Sequence, residues 1–74
     1  MDKGFKAFVR GARITRTPIG DLVADMRGDT TLPDDFASRA HLKEYLALRG
    51  ACPMALWAAT PVWRRYERWK SQAA

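Results

Sequence analysis

Cysteine, histidine and long apolar runs are scarce in this chain, and each scarcity closes a class of function. A single cysteine, Cys52, among 74 residues rules out an internal disulfide framework. A single histidine, His41, makes a zinc site improbable, and no metal is expected. The longest stretch without charge, Gly50 to Trp63, is interrupted by Pro53 and Pro61. A membrane-spanning helix needs about 20 apolar residues, so no membrane partner is expected. Residues 1–10 mix Lys3, Lys6 and Arg10 with Phe5, Phe8 and Val9 and hold no apolar core of a secretory leader, so a cytoplasmic protein is expected. No strand-like alternation, repeat or low-complexity stretch is present. The chain is also too short to enclose an ordinary substrate pocket, and no serine or cysteine is placed to act with His41. An enzyme is therefore not expected, nor a cofactor or small-molecule substrate.

Apolar letters make up 47% of the chain and charged letters 28%, the composition of one small domain spanning residues 1–74. The net charge of +5 is unevenly spread. Residues 1–16 set Lys3, Lys6, Arg10, Arg13 and Arg16 against Asp2. Residues 17–35 set Asp21, Asp25, Asp29, Asp34 and Asp35 against Arg27. Residues 51–74 are basic again, with Arg64, Arg65, Arg68 and Lys70 against Glu67. Basic ends around an acidic middle describe a dipolar surface, open to a polyanion on one face and to self-association between unlike faces.

Every periodic segment reads as helix. Phe5, Phe8 and Val9 stand at i, i+3, i+4 and predict a short helix over 2–10, with Gly11 weakening its continuation. Thr17-Pro18 is a start signal, a capping hydroxyl before a proline that has no amide to satisfy. The helix it opens carries Ile19, Leu22, Val23 and Met26 on one stripe, and Gly28 is expected to close it in a left-handed conformation. Leu32 should plug the loop that follows into the core. Ser38 or Asp35 caps a third helix running to about Arg49, with Leu42, Tyr45 and Leu46 on one face and Gly50 as its terminator. Pro53 permits one or two short turns, and Thr60-Pro61 repeats the start signal for a last helix carrying Val62, Trp63 and Tyr66 inward. Cys52, Trp57 and Trp63 are expected in the core, and residues 71–74 are expected to fray. The expected architecture is an all-α compact bundle of four to five short helices.

Phe5-x-x-Phe8, the segment Asp21-Leu22-Val23-Ala24-Asp25-Met26 ending at Asp29, Leu32-Pro33, Leu42-x-x-Tyr45-Leu46 and Val62-Trp63-x-x-Tyr66 follow one another in an order and spacing that resemble the YozE-like bacterial proteins. The resemblance runs from Phe5 to Tyr66. It implies a sterile-alpha-motif-like fold of two packed helical hairpins, an accessory or regulatory role linked to nucleic acid, and a bacterial, plasmid or prophage source. It also implies that contact between unlike faces of two copies is possible.

Three groups of charged residues are candidate sites. Arg64, Arg65 and Arg68 form a cationic ridge on the last helix with Trp69 beside it; guanidinium groups match phosphate oxygens and an indole can lie against sugar or base. Arg10, Arg13 and Arg16 recur at every third residue. If the first and last helices pack together, the two clusters merge into one basic face for nucleic acid, with double-stranded DNA the expected form. The plainer reading of both clusters is a solvated surface. Asp21, Asp25 and Asp29 recur at every fourth residue; they are either a solvated face or a docking surface for a basic protein partner, a second copy included.

Overall fold

Four helices make up the computed structural model, which describes residues 4–72: α1 (Phe5–Gly11), α2 (Pro18–Arg27), α3 (Arg39–Leu48) and α4 (Pro53–Gln72). No strand occurs among the described residues. Asp2, expected near the start of the first helix, lies outside them, as do Ala73 and Ala74 of the tail.

The seven residues of α1 bury Phe5, Phe8 and Val9, the stripe their spacing predicts. So short a helix is marginal by itself, and both its ends are satisfied from elsewhere in the chain. Gly4 offers no side-chain cap, and the Phe5 N–H instead donates to Asp35 Oδ1 at 3.2 Å. At the other end Arg27 Nη2 donates to the Val9 carbonyl at 3.1 Å and also to the Ala12 carbonyl.

In α2 the start signal works as expected: Thr17 Oγ1 accepts from the Gly20 N–H at 3.1 Å, with Pro18 leading the first turn. Its buried stripe is Leu22, Val23 and Met26. Gly28 does not take the expected left-handed conformation. Its φ is −82°, because the helix tightens through an Asp29 N–H to Met26 carbonyl bond of 3.1 Å that a right-handed residue can supply.

Ser38, not Asp35, caps α3, accepting from the His41 N–H at 3.1 Å. Beyond Leu48 the chain turns away at Gly50, whose φ of +79° is left-handed. Gly50 N–H to Ala47 and Ala51 N–H to Leu46, each 3.0 Å, complete the paired bonds of a Schellman ending.

The largest departure from expectation is α4. Thr60-Pro61 does not start a new helix, since one helix of 20 residues runs from Pro53 to Gln72 straight through Pro61. A proline inside a helix costs about 3 kcal/mol or more. Ala58, Ala59 and Val62, all fully buried, lie on one continuous stripe across that position, and breaking the helix there would take the stripe out of register with the core. Helix geometry then turns Trp57 outward, where it is 60% exposed rather than in the core. Cys52, also expected inside, is exposed ahead of the helix.

The hub of the bundle is α4, with α1, α2 and α3 all packed on it. Phe5 sits at the centre, its ring 5.2 Å from Phe36 and from Tyr66 and 5.9 Å from Trp63. Leu32 reaches the core from the loop as expected, and Phe36 joins it from the same loop without any periodic signal.

Candidate nucleic-acid interface

The two arginine clusters are carried by different kinds of backbone. Arg10 closes the last turn of α1, and Arg13 and Arg16 lie on the irregular connection between α1 and α2, all three exposed. Arg64, Arg65 and Arg68 project from the exposed side of α4. Among the described residues none of the six guanidinium groups makes a hydrogen bond or ion pair. Arg39, at the start of α3, is exposed and unpaired as well, whereas Arg27 and Arg49 show what a committed guanidinium looks like here. Arg27 is spent on the end of α1, and Arg49 Nη2 reaches Asp29 Oδ1 at 3.3 Å and lies over the Tyr45 ring.

The two clusters are linked through the α1–α4 contact. Phe5 meets Trp63 and Tyr66, and Phe8 meets Tyr66 and Trp69. At its far end the α1–α2 connection delivers Pro18 to a shallow hollow that it shares with Pro53, Met54 and Trp57. The segment bearing Arg13 and Arg16 thus leaves a helix packed on the C-terminal half of α4 and arrives beside its N-terminal end.

Trp69 is half-buried, 5.7 Å from the Phe8 ring and 6.2 Å from that of Tyr66. The exposed tryptophan is Trp57. With α4 continuous, Trp57, Pro61, Arg64 and Arg68 follow at intervals of four, three and four residues along the side opposite Val62 and Tyr66. At 1.5 Å per residue, Arg64 stands about 10 Å beyond Trp57 and Arg68 about 6 Å beyond Arg64. Had Pro61 been read as internal to a helix, this spacing alone would have placed Trp57 on the arginine stripe.

The acidic group is divided. Asp21 and Asp25 project from α2, exposed. Asp29 stands beyond the end of that helix and is engaged by the fold: it accepts from the Tyr45 hydroxyl, from the Thr31 N–H at 2.9 Å and from Thr31 Oγ1 at 2.7 Å. These bonds, Tyr45 first, and the nearby Arg49 charge lower its pKa to about 2. Burial, and then the bond to Asp29, push the Tyr45 hydroxyl up from its ordinary value.

Asp35 is a second carboxylate committed to structure, and it joins three parts of the chain. Its Oδ1 accepts from the Phe5 N–H, from the Phe36 N–H at 2.9 Å and from the Tyr66 hydroxyl at 2.9 Å. Burial pushes its carboxyl up, but the Tyr66, Phe36 and Phe5 bonds and the Lys70 charge together hold it below its ordinary value.

His41 is exposed, with Nδ1 accepting from the Ala37 N–H at 3.0 Å and its ring edge-on to Phe36, an arrangement that closes the first turn of α3. Among the described residues no group of three or more His, Cys, Asp or Glu could hold a metal ion, and no helix is long and apolar enough to cross a membrane. No family model, curated protein or solved structure matches the chain.

Proposed function

We propose that this chain is a small non-enzymatic nucleic-acid-associated protein of the cytoplasm, acting as an accessory or regulatory factor through phosphate contacts from Arg10, Arg13, Arg16, Arg64, Arg65 and Arg68. The observation that carries the reading is the free state of these guanidinium groups: six exposed cations with no carboxylate partner among the described residues, in a domain that commits Arg27 and Arg49 to its own structure. Unpaired guanidinium groups release counterions from a phosphate backbone without first breaking an internal bond. The resemblance to YozE-like proteins supports the same link to nucleic acid and a sterile-alpha-motif-like arrangement of the bundle. Trp69, whose ring is engaged by Phe8 and Tyr66, is not a separate contact in this reading.

The test is a fluorescence-anisotropy titration with labelled duplex DNA at several salt concentrations, on the wild type and on the triple variant Arg64→Ala, Arg65→Ala, Arg68→Ala. The triple variant should bind at least tenfold more weakly with little change in melting temperature, because the three side chains are exposed and unpaired. Unchanged binding would remove α4 from the site. Absence of wild-type binding to both duplex and single-stranded DNA even at low salt would end the reading and favour a protein partner, with exposed Asp21 and Asp25 as the docking surface.

A further inference from the structure

Trp57 is the large aromatic side chain of this domain that the core does not use. It is 60% exposed, and among the described residues its ring meets no other ring, whereas Trp63 and Trp69 are both engaged by aromatic neighbours. It borders a shallow, open and almost wholly apolar hollow with Pro18, Pro53 and Met54, and Met54 is itself 55% exposed. Both prolines are fixed by their roles at the starts of α2 and α4, so the floor of the hollow is rigid.

The surroundings decide what such a hollow can receive. Arg64 and Arg68 continue from Trp57 along the same side of α4, and Arg16 lies two residues before Pro18. A second copy presenting this face would bring arginine against arginine. Four side chains are also far short of the roughly 20–30 residues a side that a stable dimer buries. The occupant must be anionic along its length, flat and apolar at one point, and narrow enough to follow a single helix. An unpaired base attached to a phosphate backbone has all three properties. A paired base in a duplex has no free face to offer an indole.

We propose that Trp57 is a stacking platform for an unpaired base, and that single-stranded nucleic acid lies along α4 with its phosphates on Arg64 and Arg68. The inference rests on the nucleic-acid reading above and narrows it to the single-stranded form. The span from Trp57 to Arg68, about 16 Å, accommodates up to about five nucleotides at the 3.4 Å spacing of a stacked strand. Stacking on the indole is indifferent to base identity, because every base has a π-face, so the site selects strandedness and not sequence.

The experiment compares a labelled oligothymidine strand with a duplex of equal length, titrated with the wild type, Trp57→Ala and Trp57→Phe at one low salt concentration. The wild type should bind the single strand more tightly. Trp57→Ala should weaken single-strand binding about tenfold or more, the usual cost of removing one stacked aromatic. It should leave duplex binding within about twofold, and Trp57→Phe should recover most of the loss. Circular dichroism melts should coincide for the three proteins, since the ring is exposed. Equal single-strand affinity for wild type and Trp57→Ala, with the triple arginine variant still defective on both nucleic acids, would overturn the stacking platform and leave the phosphate-binding reading intact. Failure of the wild type to bind either form would overturn both.

Discussion

At the scale of single residues, the side chains that look functional by charge divide by what they already hold. Asp29 and Asp35 are acidic residues in a loop and would pass for surface, yet each accepts both local hydrogen bonds and bonds from distant parts of the chain, Asp29 from Tyr45 and Arg49 and Asp35 from Phe5 and Tyr66. For Asp29 this has a consequence in pH. Its folded pKa of about 2 lies below the ordinary aspartate value of about 3.9, so its carboxylate is held more tightly in the folded state than in the unfolded one. The stabilisation is therefore complete above about pH 4 and lost as pH falls toward 2. Asp29→Asn should lower stability at pH 7 by about 1–2 kcal/mol, the range of a hydrogen-bonded charge with some access to water. Thermal melts of both proteins at pH 7 and pH 2 test this. The difference in melting temperature should shrink at pH 2, and a gap equal at both values would mean that the charge contributes nothing.

Gly20 illustrates a different constraint at the same scale. A Cβ built there would fall 1.9 Å from the Thr15 carbonyl oxygen, a backbone atom that a rotamer change cannot move. The α1–α2 connection lies directly on the first turn of α2, and only glycine admits that approach. Gly20→Ala should cost about 1–3 kcal/mol or more, read as a fall in the urea midpoint. Because the displaced segment carries Arg13 and Arg16, the same variant should also weaken binding to DNA.

At the scale of elements, the start signals of α2 and α3 and the stop signal of α3 were readable because they are local. Thr17-Pro18, Ser38 and Gly50 each act within four residues of themselves, and each does what its chemistry dictates. Thr60-Pro61 carries the same local signal as Thr17-Pro18 and fails, because the fully buried stripe of Ala58, Ala59 and Val62 is a tertiary fact that no window of sequence contains. The outward turn of Trp57 follows from that same continuity of α4. Phe36 and the distant partners of Asp35 were invisible for a related reason: they close contacts across about thirty residues, from a loop with no period. Pro61 has no N–H to give the Trp57 carbonyl four residues earlier, so α4 carries a gap in its ladder beside the proposed stacking residue. Pro61→Ala should restore that bond and raise stability by about 1–3 kcal/mol, seen as a higher melting temperature, since proline is about 3 kcal/mol poorer than alanine inside a helix. A fall in melting temperature would show that the bundle requires the proline geometry.

At the scale of the whole molecule, the question is whether the two arginine clusters act on one ligand. The domain measures only 33 × 25 × 21 Å, while charges in physiological salt are screened beyond about 8 Å, so neither cluster acts on the other's ligand at long range. Simultaneous contact requires them to face the same way. The salt dependence of binding counts phosphates and so answers this directly. Six contacts predict a slope of log affinity against log salt near −5.4 on duplex DNA and near −4.2 on a single strand. If both clusters touch one ligand, replacing Arg64, Arg65 and Arg68 by alanine should reduce the slope by about half, and replacing Arg10, Arg13 and Arg16 should do the same. If they face apart, the wild-type slope will correspond to about three phosphates and only one of the two triple variants will change it. The first outcome makes the α1–α4 aromatic contact the device that assembles the site. In that case, loosening it with Phe8→Ala should lower affinity without removing any cation.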